Sequence, residues 1–493
     1  MDKTRYLDIK DIIDIASIPV VVYAMGFVFL YIADAILGIG VDLLLSFVHI
    51  NGALFLWMVF RGVPWEGVRY DCFGAAFILV QIMFRLLSVI DSMVYGDRID
   101  EIPRTVDIVS PIFWLIVKSE VLVNLGVAIV VLSWRLSIGG DIKKISFIKN
   151  GVMVDDRVSY CMYFLAILTE LLKFATHDSV GPLTQVSYLT YSFGVVSIFF
   201  ISIRRQGDRE KIFFSLCMGL PLSVMALGSG MKENIFFPLI PAIIVGILIY
   251  RNAYSRIIMM GSLFILLSFS QMYVSYVRYV SWGVDKEGGY ETSQLVSEFF
   301  GVLGDLSVVD SFDAMSARIN MTTTHVITVS IADAVGYEPL EVFGAIPVSF
   351  VPRFLWPDKP VFMPGAIHTS RIEGARISGA EIVDAVRVGD INTSTAAGFF
   401  SELYLGGWYI GWFIGSVLCG LLLGGIQKLL INRGSVFSIL GFSFFCTYWA
   451  LRFDEKHVIY AYTSVIFVVI FLLIIDRIFE FLNKAANSKT ALR

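Results

Sequence analysis

The run "IPVVVYAMGFVFLYIADAIL", Ile18 to Leu37, contains one acidic residue and no base. In water such a segment has nowhere to put its surface, whereas in a bilayer an α-helix satisfies every backbone N–H and C=O internally while presenting apolar side chains to lipid. Runs of this kind, roughly 17–25 residues long, recur about twelve times along the chain. They are too long and too uniformly apolar for the alternating strands of a membrane barrel. Composition agrees: 57% of the 493 residues are hydrophobic, and the mean hydropathy is +0.75. A soluble domain is only about half apolar.

The expectation is therefore an all-α polytopic membrane protein of about 12 transmembrane helices. The spans fall at approximately 17–37, 41–60, 72–92, 108–133, 158–176, 186–203, 212–228, 234–250, 257–277, 403–426, 436–451 and 458–476. With the N-terminus inside, the segments facing the cytoplasm hold about 22 Lys and Arg residues and the short outer loops about 5, a strong positive-inside bias that also places the C-terminus in the cytoplasm. No cleavable signal peptide is expected, because Met1–Ala16 interleaves acids with bases and lacks a short apolar core.

One connection breaks the pattern. Between the ninth and tenth helices the chain runs outside the membrane for on the order of 120 residues, far longer than a simple loop. The expected organisation is a bundle of helices 1–9 over residues 1–277, a large outer loop over 278–402, and helices 10–12 with a tail over 403–493. The loop begins with an amphipathic stretch, "TSQLVSEFFGVLGDL", and contains "SFVPRFLWPDKPVF", Ser349 to Phe362, whose three prolines exclude a regular helix.

Several chemistries find no support. The five cysteines all fall in expected spans, so no disulfide framework is expected in the loop. The histidines never occur at i, i+3 or i, i+4, which gives no metal-ligand spacing, and the chain has neither a phosphate-binding Gly-Lys loop nor a dinucleotide fingerprint. What remains is a set of bases in and beside the outer loop: Lys232, Arg278, Lys286, Arg318, Arg353, Lys359, Arg371, Arg376 and Arg387. Such a set is either a solvated or lipid-headgroup-facing surface or a cradle for phosphate, since arginine forks match phosphate oxygens and lysine adds point charge.

"PRFLWPDKP" (Pro352–Pro360), followed by "STAAGFFSELYLGGWYIGWFIG" (Ser394–Gly415), resembles the end of the large periplasmic loop and the next helix of bacterial oligosaccharide repeat-unit polymerases of the O-antigen polymerase, or Wzy, type. "GSGMKEN" (Gly228–Asn234) is similar to a short Gly-Ser-base turn in that group, and Arg278 with Gly289 and Arg387 with Gly398 reproduce its Arg-x10-Gly spacing. Its companion His-x7-Gly spacing is absent. The resemblance implies inverting, metal-independent glycosyl transfer on the periplasmic side of a bacterial inner membrane. Undecaprenyl-pyrophosphate-linked glycans would be donor and acceptor, with no cofactor and no nucleic acid. Membrane lipids, a chain-length regulator and a flippase would be partners.

That chemistry needs cations at the departing pyrophosphate and an acceptor for the attacking hydroxyl's proton. Arg278, Arg353 and Lys232 are the first candidates for the cradle, with Arg318, Lys359, Arg376 and Arg387 behind them; prolines on both sides stiffen Arg353. Glu402, expected at the outer end of the tenth helix, is the candidate base, with Asp358, Asp390, Glu233 and His325 in reserve. Charges within spans need partners too. Glu170 and Lys173 can meet on one helical face. Lys118 and Glu120, two apart, should reach different neighbouring helices, and Arg85 stands alone in its span. A transporter or flippase using those charges, and a ligase transferring the same donor to a lipopolysaccharide core, are the alternatives.

Overall fold

The computed structural model describes residues 9–37, 41–63, 72–95, 112–138, 156–175, 205–229, 237–249, 322–349 and 397–433, together with scattered positions within 190–202, 235–301, 351–356 and 457–478. The chain forms two compact units, Met1–Ile145 with Ser316–Arg493, and Ser146–Met315. The first holds α1 (Ile9–Leu37), α2 (Val41–Gly62), α3 (Cys72–Tyr95) and α4 (Ile112–Ile138). The second holds α5 (Asp156–Ala175), α6 (Asp208–Met225), two short 3-10 turns and α7 (Ile240–Ile249). The first unit resumes with α8 (Thr322–Val335), α9 (Pro339–Val342), α10 (Ala345–Ser349) and α11 (Phe399–Arg433).

Among the described residues there is no strand, and four helical segments are long and apolar enough to cross a membrane: Ile15–Ala33, Leu43–Gly62, Phe113–Ile138 and Phe399–Leu430. This is a helical membrane protein. The expected spans near 257–277 and 436–451 lie wholly or mostly outside the described residues.

The first unit is organised around α4. Leu122, Val123, Val127, Val130, Val131 and Trp134 are all fully buried, so over this stretch the helix meets protein on every side. By contrast α1 buries Tyr23 and Leu30 and exposes Val21, Met25, Val28 and Phe29, as a helix at the edge of a bundle does. Helix α3 runs antiparallel to α4: Gly74 near its start meets the ring of Trp134, and Arg85 further along meets Glu120.

The closest packing is between α4 and α11. A Cβ at Gly420 would lie 2.3 Å from the Val130 carbonyl oxygen, and one at Gly424 2.5 Å from that of Trp134. Small residues let helix backbones meet where lipid supplies no hydrophobic drive for association. Two indoles fix the parallel register: Trp412 Nε1 donates to the Leu122 carbonyl (2.9 Å), and Trp134 Nε1 to Gln427 Oε1 (2.9 Å).

Helix α11 is not one continuous rod. Gly407 and Trp408 leave helical geometry, Trp408 with φ 51° and ψ −148°. On either side the chain folds back on itself, with Leu403 against Gly415 and the rings of Tyr404 and Tyr409 5.2 Å apart. The sequence-based expectation of a single span at 403–426 thus becomes a hairpin, a short arm 399–406 and a long arm 409–433. Hydropathy could not reveal the reversal, because both arms are apolar. A non-glycine residue at positive φ costs on the order of 1–3 kcal/mol, so the surrounding packing must hold Trp408 there. The short arm runs opposite to α4: Phe400 packs on Gly126, midway along α4, and Tyr404 lies against Lys118 nearer its start.

Helix α8 lies beside the short arm. Val326, Val329 and Ala332 are buried, and the helix ends at Gly336 with φ 92°. The next turn is pinned by Glu338 N–H donating to the Leu405 carbonyl (2.8 Å). In the second unit Gly219 of α6 approaches the Pro238 carbonyl, and Tyr163 of α5 donates to the Met218 carbonyl (2.9 Å). Phe299 there is ringed by Phe269, Tyr273 and Tyr276.

Candidate functional site

The first half of α4 carries Lys118, Ser119, Glu120 and Asn124, polar residues inside a helix otherwise built of valine and leucine. At helical spacing Lys118 and Glu120 point in different directions and meet different elements, while Ser119 donates to the Ile116 carbonyl of the same helix (2.9 Å).

Lys118 reaches α8. Its Nζ lies 2.7 Å from both carboxylate oxygens of Asp333 and 4.6 Å from the centre of the Tyr404 ring, and the Tyr404 hydroxyl donates to Asp333 Oδ1 (2.9 Å). The pair is partly accessible, with the side chains 24% and 18% exposed.

Glu120 turns the other way, into α3 and α1. Arg85 Nη1 donates to both of its oxygens, at 2.7 and 2.8 Å. Asn124 Nδ2 donates to Glu120 Oε2 (3.2 Å) and to the Tyr23 hydroxyl (2.9 Å), and His49 Nδ1 lies 3.8 Å from Glu120 Oε2. Arg85, the base expected to stand alone, is thus alone only within its own helix. The ion pair is fully enclosed. Taking both charges out of water costs several kcal/mol each, which only good mutual geometry offsets.

Two further imidazoles meet the short arm, His325 from α8 and His457 from the stretch that begins at residue 457. The short arm starts at Gly398, φ 76°, the glycine of the second Arg-x10-Gly spacing, whose carbonyl accepts from Glu402 N–H (2.9 Å). Consecutive residues of that arm then face opposite ways. Ser401 Oγ is 2.8 Å from Nδ1 of His325 on α8, while Glu402 Oε1 accepts from Nδ1 of His457 (3.0 Å) and Glu402 Oε2 from the Val458 N–H. His325 is fully buried, and its Nε2 has no hydrogen-bond partner among the described residues. The charges of Arg85 and Glu120 both act on its ring. Gln81, one helical turn before Arg85, is likewise buried with neither amide atom partnered among the described residues. Unpaired polar atoms at this depth are hallmarks of a hydrated or ligand-bearing interior rather than a dry core.

Of the site residues expected from sequence, the structure places two in this centre, Glu402 and His325. They share it through adjacent residues of the short arm. Glu402 is enclosed and bonded at both oxygens, on the arm that turns inward from the hairpin tip. Arg278, Arg353, Lys232, Arg318, Lys359, Arg376 and Arg387 lie outside the described residues, as do Asp358, Asp390 and Glu233 and the side chain of Lys173. Lys118 and Glu120 do reach different neighbours, as their spacing predicts. Ser401, His457, Asp333 and Tyr404 escaped sequence reasoning, although Ser401 and Tyr404 flank Glu402 in the "SELY" motif. Among the described residues no group of three His, Cys, Asp or Glu side chains is arranged to hold a metal ion.

Residues 73–483 match the family model described as "Domain of unknown function (DUF8712)". No curated protein and no solved structure matches the chain.

Proposed function

The chain belongs to the DUF8712 family, and we propose that it is a membrane-embedded glycosyltransferase that polymerises undecaprenyl-pyrophosphate-linked oligosaccharide repeat units into a surface polysaccharide. One observation carries the reading: the "STAAGFFSELYLGG" segment, which with "PRFLWPDKP" resembles the repeat-unit polymerases, forms the inward-turned arm that sets Ser401 against His325 on one side and Glu402 against His457 on the other. A loop motif that merely linked two spans would have no reason to bury a serine–imidazole pair on one side and a carboxylate–imidazole pair on the other.

In this reading the enzyme lies in a bacterial inner membrane with both termini cytoplasmic, and the Lys118 end of α4 faces the periplasm. The exposed rings of Tyr31, Trp114, Tyr337 and Trp408 then fall near the outer interface, where amphipathic aromatics are favoured. An acceptor hydroxyl attacks the anomeric carbon of the donor, the C–O bond to pyrophosphate breaks, and undecaprenyl pyrophosphate leaves. Arg278, Arg353 and Lys232 stabilise the charge on the departing pyrophosphate, supported by Arg318, Lys359, Arg376 and Arg387. Glu402, fixed by His457, has lone pairs left over from its two hydrogen bonds and takes the proton. The step uses no cofactor and no metal.

Deleting the gene tests this in cells: lipid-linked single repeat units should accumulate on the periplasmic face, and surface glycan should shrink to one repeat. A second reading, a carrier for a lipid-linked glycan, draws on a different observation, a helix broken within the bundle at Gly407–Trp408. In that case the units would accumulate on the cytoplasmic face. A ligase would instead leave long polymer on its lipid carrier.

A further inference from the structure

At the Lys118 end of the bundle the hairpin tip and the turn after α8 bring together aromatic rings that the core does not need. Tyr337, Trp408 and Tyr409 are 58%, 51% and 55% exposed. The Tyr337 and Trp408 rings meet edge-on at 5.8 Å, and Tyr409 meets Tyr404 edge-on at 5.2 Å and lies 5.8 Å from Lys118 Nζ. Beneath them is the partly accessible Lys118–Asp333 pair.

We propose that Tyr337, Trp408 and Tyr409, with Asp333 and Lys118 under them, form a platform for a neutral sugar ring of the lipid-linked glycan. This rests on the reading of the protein as an enzyme of such glycans and names the part of the substrate that this corner holds.

Three observations point to a sugar rather than to lipid or phosphate. First, the charge of Lys118 is already engaged: both Asp333 oxygens are 2.7 Å away and an aromatic ring covers it, so a phosphate would have to displace a carboxylate. Second, Asp333 accepts from Lys118 and Tyr404 and still has lone pairs for neighbouring hydroxyls, the groups a pyranose presents at its edge while its C–H face lies on an aromatic ring. A greasy anchor would gain nothing from a carboxylate below it. Third, Trp408 holds its ring there at positive φ although the two preceding residues are glycine. Glycine would adopt that geometry freely. Strain retained at one bulky, exposed residue is a mark of a ligand-contacting position.

The test uses the full-length protein in phospholipid nanodiscs, free of glycoside detergents, with saturation-transfer-difference NMR on free glucose, galactose and N-acetylglucosamine. Transfer to the ring protons of at least one of these sugars is expected. It should fall at least about fivefold in Trp408→Ala and remain largely intact in Trp408→Tyr. Trp408→Gly, which relieves the backbone, should lose the signal equally and guards against a merely unfolded Ala variant. Absence of transfer for every sugar, or equal transfer in wild type and Trp408→Gly, overturns the platform and leaves these rings as interfacial anchors. Polymer formation by the same preparation separates the two claims. A wild-type ladder with Trp408-independent NMR removes only the platform, whereas Trp408-dependent sugar contact with no ladder from any donor keeps the sugar site and removes the polymerase reading.

Discussion

Arg85 and Glu120 are the residues on which the interior of the first unit depends most sharply. Each neutralises the other in a fully buried setting, so removing one leaves an uncompensated charge. Arg85→Ala or Glu120→Ala should destabilise the fold by about 3–5 kcal/mol, read as a lower unfolding temperature in detergent. The double change Arg85→Met with Glu120→Leu should recover most of that loss, which neither a purely steric role nor independent contributions would predict. Trp408 makes the opposite prediction. Trp408→Gly should leave thermal stability equal or raise it by up to about 1–3 kcal/mol of relieved strain, while activity falls; a clear drop in stability would mean the indole is structural. At this scale the sequence was informative where motif and chemistry coincided. Glu402 and His325 stood out as candidates, yet their partners Ser401 and His457 lie 76 and 55 residues away from them, distances no local pattern spans.

Between elements, the decisive feature is how closely α11 approaches α4. Gly420 and Gly424 face carbonyl oxygens of α4, backbone atoms that cannot rotate aside as a side chain could. Gly420→Leu should therefore push the two helices apart and cost at least about 1–3 kcal/mol, whereas Gly425→Ala, whose nearest neighbour is 3.6 Å away, should be tolerated. Comparing unfolding temperatures of the two variants checks this directly. That α11 is apolar and helical was legible from composition alone. Its reversal at Gly407–Trp408 was not, since a hairpin of two apolar arms and a single long span carry the same hydropathy. Nothing in the local pattern of Thr322–Val335 foretold burial either: its Thr, Ser and His residues look like an exposed loop helix, yet Thr328 donates to the Ala397 carbonyl and His325 meets Ser401 of the inward-turned arm.

Across the whole molecule, the membrane class followed from apolar run length, and among the described residues four helices long and apolar enough to cross a membrane agree with it. Function rests on a narrower base. It depends on a loop motif whose second half turns into the bundle and carries two buried pairs, Ser401 with His325 and Glu402 with His457. The most direct measurement is turnover by purified protein in nanodiscs, supplied only with an undecaprenyl-pyrophosphate repeat unit and EDTA, with products resolved by length. The account predicts a ladder of polymer together with released undecaprenyl pyrophosphate. It also predicts that Glu402→Gln and Arg353→Ala, folded as judged by unfolding temperature, lose at least about a hundredfold in rate. Folded wild-type protein that gives neither ladder nor released pyrophosphate from several such donors, or a ladder indifferent to both substitutions, would contradict it.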